Sequence, residues 1–214
     1  MGTLVSRPAS RAAAQNDDVP TLVVFDAMGV LYSIGNDVGE LLIPYLRELG
    51  CVCDNAEIRR WYRQASLGQI SSARFWKACG VQGDDVAFTL RHTLTPGIVA
   101  LVTDLHRHGV RMACLSNDVS EWSLLLRQRF GLDRFIDTWM VSGDIGVRKP
   151  HEEAFQILAE TTGTSFSQMV FFDDRPDNVE AARGIGIDAI QFISASLSRK
   201  SLCARYLLPA SDRT

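Results

Sequence analysis

Apolar positions along this chain come in two styles that alternate. Short apolar runs, Leu22 to Phe25, Val110 to Leu115, Met169 to Phe172 and Ile187 to Ile193, have the length and density of strands buried on both faces, and a shorter candidate lies within Asp133 to Met140. Between them, apolar residues recur at steps of three and four. Val38, Leu41, Leu42, Tyr45, Leu46 and Leu49 trace one helical face up to Gly50, and Ile58, Trp61, Tyr62 and Ala65 trace a second. Ser71 or Ser72 caps a helix carrying Phe75 and Trp76 that stops near Gly80, and Asp84-Asp85 opens another. Further helices are predicted from Thr95-Pro96-Gly97 to Gly109, from Val119 to Phe130, from His151 to Glu160 and from near Pro176. Strands alternating with helices predict an α/β fold built on an open parallel sheet. About four short helices with no strand among them separate the first strand from the second, which predicts a helical lid inserted above the first strand's end.

The expected organisation is a flexible leader over 1–20, a core over 21–34 and 95–197, a helical cap over 35–94 and a tail over 198–214. The leader lacks periodicity, and its Met1-Gly2-Thr3-Leu4-Val5-Ser6 start and acid-poor composition match myristoylation and transit patterns that arise often by chance. The 214 residues, 46% hydrophobic and 22% charged, suffice for one full core and a small second one. A net charge of -3 offers no basic field for nucleic acid, and no apolar run approaches the roughly 18 residues that span a bilayer. Five cysteines, odd in number and without a CxxC, read as reduced thiols of a cytoplasmic protein.

Chemistry collects at the strand ends. Asp26 follows the first apolar run. Alone, a carboxylate there reads as a turn cap. The second run ends in Ser116-Asn117-Asp118, and the loop Val141 to Pro150 delivers Lys149 to a helix start, where a point charge is held in place rather than sweeping through solvent. The run from Met169 ends in Asp173-Asp174. Two adjacent acids at a buried strand end repel each other, and a hard cation relieves the repulsion. In an open parallel sheet all these ends face one crevice. Together they form a phosphoryl-transfer set: Asp26 as nucleophile, Mg2+ held by Asp26 and Asp174, and Ser116, Lys149 and the amides of Ala27 and Met28 around the phosphoryl oxygens. Trp61, Tyr62, Phe75 and Trp76 are expected in the lid core, with room for one or two of them to face the pocket; Arg59, Arg60 and Arg63 could meet an anionic substrate, with a solvated helix face the favoured reading; His92, His106 and His108 are expected at the surface or in the lid.

The order FDAMGVL, CLSND, VRKP and FFDDRPDNVEAA, from about residue 21 to 193, resembles the four motifs of the haloacid dehalogenase-like hydrolase superfamily. The branch it resembles carries a small helical cap between the first two motifs and includes sugar-1-phosphate phosphatases and the N-terminal phosphatase domain of epoxide hydrolases. The resemblance implies a Rossmann-like sheet with a cap that closes over substrate. It implies Asp26 as nucleophile, Ser116 and Lys149 as the second-motif and third-motif residues, and Asp173 and Asp174 as metal-binding acids. It also implies Mg2+ bound through the Met28 carbonyl, with Asn117 among the substrate-binding positions. The expected partner is a small phosphorylated metabolite, and the expected state a monomer or homodimer.

One position departs from the family pattern. Most phosphatases of the family carry a second aspartate where this chain has Met28, and that aspartate protonates the leaving oxygen and later activates water. Losing general acid-base help typically costs about a hundredfold or more in rate. The change favours a leaving group that needs little protonation, or an acid supplied from the cap. Two other readings accompany the phosphatase: a metal-independent haloacid dehalogenase, in which halide leaves without a proton, and a weakened or non-catalytic member that binds a phosphorylated ligand or a partner.

Overall fold

The computed structural model describes residues 21–206. The expected leader over 1–20 and the last part of the expected tail, 207–214, lie outside the described residues. Five parallel strands form one sheet in the order β3-β2-β1-β4-β5, with β1 Leu22–Phe25, β2 Arg111–Ser116, β3 Thr138–Val141, β4 Met169–Asp173 and β5 Asp188–Gln191. β1 is central, paired in register with β2 and β4, so Phe25 stands level with Cys114 on one side and Phe172 on the other. Its four apolar residues are all buried because helices cover both faces of the sheet.

The alternation of side chains along β1 assigns each residue to a layer. Val23 and Phe25 join a core with Leu101 and Leu105 of α5 (Ile98–Arg107) and Leu126 of α6 (Ser120–Arg129). Leu22 and Val24 point the other way, into a core with Phe155 and Leu158 of α8 (Glu152–Thr162) and Val179 of α9 (Pro176–Gly184). β3 and β5 are the edges, and β5 ends in the exposed Gln191.

The stretch between β1 and β2 is helical, as its periodicity predicts. A π-helical turn, Val38–Leu42, runs into α1 (Ile43–Glu48), followed by α2 (Asn55–Ala65), α3 (Ser72–Ala78) and α4 (Asp85–Thr89). Asp54, Ser71 and Asp84 cap α2, α3 and α4 by accepting bonds from Glu57, Arg74 and Val86 amides. These helices share a third apolar core, and Val119 and Trp122, beside and within α6, complete it. The helical layer is therefore tied to the sheet layers through α6.

Three local readings change. The tail expected from residue 198 is helical: α10 runs Ala195–Tyr206, and Ala195 and Leu202 enter the α5 core while Arg199 pairs with Asp104 at 2.7 Å. Its buried positions Ala195, Ser198 and Leu202 fall at helical steps, but one is polar and one only a methyl, so the apolar signal is weak. The loop before Lys149 contains one short helix, α7 (Ser142–Ile145), closed by Gly146 in the left-handed conformation at φ 74. His92 is buried, 1% exposed, between the rings of Tyr32 and Phe88 rather than at the surface, and neither ring nitrogen has a partner. Burial pushes its pKa down to about 4, so it is a neutral packing residue. His106 and His108 are exposed, as expected.

Asp85 fastens the helical layer to the sheet layers. One carboxylate oxygen accepts both indole N–H groups, Trp76 Nε1 at 2.7 Å and Trp122 Nε1 at 2.6 Å, and the other accepts the Ser72 hydroxyl at 2.6 Å. Trp76 belongs to α3 and Trp122 to α6, and both are buried. Asp85→Ala strands two buried donors, and we expect a loss on the order of 3 kcal/mol. Thermal melting should then fall by roughly 10 °C for a domain of this size, and an unchanged melting temperature would show that the clamp carries no stability.

Candidate active site

Asp26 is the first residue beyond β1, and its N–H continues the ladder by donating to the Phe172 carbonyl at 2.8 Å. The carboxylate is 6% exposed. Its Oδ1 accepts from the Ala27 amide at 2.7 Å and from Lys149 Nζ at 2.7 Å. Because β1 lies between β2 and β4, their last residues Ser116 and Asp173 flank it. The sheet order thus brings together residues about 90 and 150 positions apart by one rule, that ligand-binding ends of parallel strands face one crevice.

Lys149 is held at both ends. The Asn117 side-chain amide accepts from the Lys149 N–H at 2.9 Å and donates to its carbonyl at 2.9 Å, fixing the main chain. The ammonium then spends its three protons on the Leu115 carbonyl, on Asp26 and on Asp173 Oδ2 at 2.7 Å. Asn117, expected against substrate, lines the cavity but uses its amide to position the lysine.

Asp173 is fully buried with both oxygens engaged: Asn178 Nδ2 donates to Oδ1 and Oδ2, and the Arg175 amide donates to Oδ1. Asp174 differs. Its Oδ1 is buried with no partner, and Gly29 and Gly35 leave it room, since a Cβ at either would come within 2.4 Å of Oδ2. Gly29 also has φ 78, where a side chain is strained.

Asp26, Asp173 and Asp174 offer ligand oxygens within 4.8 Å of one another. Three carboxylates face a single ammonium. Burial first, then the Asp173 charge, pushes Asp26 up to about 7 against the opposing pull of Lys149, and burial and Asp173 also raise Asp174. A surplus of buried negative charge, an orphaned carboxylate oxygen and a glycine-lined space around it fit a hard divalent cation such as Mg2+.

These groups close one end of a cavity of about 470 Å³ that Asp26, Met28, Ser116 and Lys149 help to line. Ser116 Oγ is buried without a partner. Met28 reaches both the cavity and the apolar core. Ala27, expected to offer its amide to a phosphoryl oxygen, donates it to Asp26. The opposite wall is a stripe of α2, Ala56, Arg59, Arg60 and Arg63, at the spacing of one helical face. The arginines are exposed, as a solvated face requires, and they also line the cavity, where an anion could meet them. Arg148 and Arg175 add to the cationic lining, and buried Asp37, not singled out in the sequence, lines it as well.

A family model for haloacid dehalogenase-like hydrolases matches residues 20–186. The chain belongs to the haloacid dehalogenase-like hydrolases. It is similar to a phosphoglycolate phosphatase of Pseudomonas syringae pv. syringae, 27% identical over 188 residues that cover 80% of this chain and 69% of that one. Among solved structures it resembles a HAD family enzyme of Bacteroides thetaiotaomicron in complex with magnesium and inorganic phosphate. That structure has a TM-score of 0.68, 19% identity and coverage of 82% of this chain and 95% of that one. It also resembles the L-2-haloacid dehalogenase of Xanthobacter autotrophicus, with a TM-score of 0.57, 19% identity and coverage of 89% and 85%. At these identities the structural likenesses show the fold shared by this family of hydrolases.

Gly35→Ala tests the space beside Asp174. The added methyl meets the free end of a side chain 2.3 Å away, so the carboxylate swings aside and the backbone is spared. We expect Mg2+ affinity, read by titration calorimetry, to fall about tenfold or more with melting in EDTA nearly unchanged. Unaltered affinity would remove Asp174 from the metal site.

Proposed function

We propose that this hydrolase is a Mg2+-dependent phosphatase of a small phosphorylated metabolite, working through an aspartyl-phosphate on Asp26. The observation that carries this reading is the asymmetry of the site: a buried carboxylate held by one oxygen beside a carboxylate cluster short of positive charge, at the end of a cavity walled by arginines. Both contacts to Asp26 fall on Oδ1, which leaves Oδ2 to attack phosphorus in line. Lys149 fixes the nucleophile's orientation and balances part of its charge, while Ser116, whose Oγ has no partner in the protein, donates to a phosphoryl oxygen. Asp26, Asp174 and the Met28 carbonyl hold Mg2+, and Asp173, occupied by Lys149 and Asn178, shapes the field around it. Bound there, Mg2+ neutralises charge on the transferring phosphoryl group.

The helices from Val38 to Thr89 act as the cap in this reading, and the α2 arginines recognise the anionic substrate from above. Five unbridged cysteines suit a reducing compartment, and the cytoplasm is the proposed location. No helix among the described residues is long and apolar enough to cross a membrane. A second reading, carbon-halogen hydrolysis without metal, is favoured by Met28 alone, since halide needs no proton to leave.

Phosphate release from a panel of sugar, acyl, alkyl and aryl phosphates, with Mg2+ and with EDTA, separates the two. The expected result is Mg2+-dependent release that Asp26→Asn abolishes. No release from any phosphate, with chloride freed from 2-chloropropionate in EDTA, would replace the phosphatase by the dehalogenase. For the arginine wall, Arg59→Ala should raise KM about tenfold, the worth of one charge-assisted hydrogen bond, with little change in kcat. An unchanged KM would place Arg59 outside substrate recognition.

A further inference from the structure

Met28 leaves the site without the acid that an alkyl leaving group requires, and the cavity contains one other carboxyl group with the right surroundings. We propose that Asp37, at the junction between β1 and the helical layer, protonates the leaving oxygen and then accepts the proton of the hydrolytic water. This inference rests on the phosphatase reading and assigns it a residue that the family's motifs do not contain.

Asp37 lines the same cavity as Asp26 and Met28 and immediately precedes Val38, where the helical layer starts. It is 5% exposed, and its Oδ2 is buried with no hydrogen-bond partner. Nor does its side chain cap the helix that follows. A buried carboxyl group lacking these partners is unusual, because burying an isolated charge is strongly unfavourable. Arg148, the nearest candidate for a structural ion pair, instead donates to the Ser66 hydroxyl and lies over the Tyr62 ring.

The charged and titratable groups facing Asp37 are Arg59 and Tyr62 of α2, Arg148 before α8, and Asp118 beyond β2. Burial pushes Asp37 up to about 6, opposed by the Val38 amide, Arg148 and Arg59. A general acid works best with a pKa near the operating pH. An anionic substrate in the cavity favours the protonated form further, since a like charge disfavours ionisation.

The proton balance closes over one turnover. As Asp26 Oδ2 forms its bond to phosphorus, the bond from phosphorus to the alkoxy oxygen breaks, and that oxygen takes the Asp37 proton and departs as the alcohol. Water then attacks the phosphoryl group, the bond from phosphorus to Asp26 breaks, and the water proton returns to Asp37 as inorganic phosphate forms. Arg148 stabilises the carboxylate that Asp37 becomes between the two halves.

The test is the ratio of kcat/KM, which reports the steps up to phosphoryl transfer onto Asp26, for glycerol phosphate, whose alkoxide needs a proton, to that for p-nitrophenyl phosphate, whose phenolate does not. In Asp37→Asn this ratio should fall about a hundredfold or more. Adding Met28→Asp in that background should regain at least part of it by placing an acid elsewhere. An unchanged ratio in Asp37→Asn, from equal loss on both substrates or from no loss, overturns the assignment while leaving the phosphatase reading intact. In the unmodified protein the same ratio should decline as pH rises through about 6, where Asp37 loses its proton. This second measurement holds even when the variant fails to fold, and a flat ratio overturns the assignment. No phosphate release from either substrate by the unmodified protein would defeat the phosphatase reading and this inference with it.

Discussion

The ammonium of Lys149, shared between the carboxylate that follows β1 and the one that ends β4, is the interaction on which the site depends. Two like charges at adjacent strand ends repel, and a buried cation bonded to both offsets part of that repulsion. Removing one partner of such a buried set typically costs about 3–5 kcal/mol, because it strands the others. The lysine is worth more than its charge for that reason. Asn117 grips its main chain, the Leu115 carbonyl takes its third proton, and Asn178 saturates Asp173 from α9. The ends of the three central strands, β2, β1 and β4, therefore contribute to holding one nitrogen in place.

That cation leaves the cluster undercompensated. Three carboxylates share one ammonium, and the surplus is visible as the raised Asp26 and the orphaned oxygen of Asp174. The glycines at 29 and 35 keep the space beside Asp174 open, the first from a left-handed turn just beyond Asp26. Two constraints, backbone conformation and clearance, meet at Gly29, so the turn after β1 serves the acid cluster as much as the chain reversal.

The helical layer brings an opposite charge. Its α2 stripe faces the acids across the cavity, and the layer's position follows from its shared core with α6 and from Asp85, which joins Trp76 to Trp122. An anion entering the cavity meets arginines on one wall and the lysine and Ser116 hydroxyl on the other. Asp37 stands at the hinge between the layers, where a carboxyl group is dry enough to hold a proton and close enough to arginines to lose it.

Local sequence determined the elements. Four apolar residues followed by Asp26 specify a buried strand with a carboxylate at its end, and the periodic stretches after Asp37 specify helices, because burial imposes its own spacing on each kind of element. The motif order then made Asp26, Ser116, Lys149 and Asp173-Asp174 legible as one site, since parallel strands send their ends to a common edge. What sequence alone left open was decided by contacts across elements. The α2 arginines carry no mark distinguishing a solvated face from a cavity wall; only the placement of α2 over the sheet makes that distinction. α10 was hidden because the residues it buries at helical steps, Ala195, Ser198 and Leu202, include only one large apolar side chain, and His92 because its burial depends on rings from separate segments. Asp37 carried no mark of its own in the sequence, and it is the tertiary structure that buries it, one oxygen without a partner, beside the cavity that Asp26 lines. Hydrophobic periodicity reports what each segment buries, whereas the partner of a polar group is set by a residue that can lie a hundred positions away.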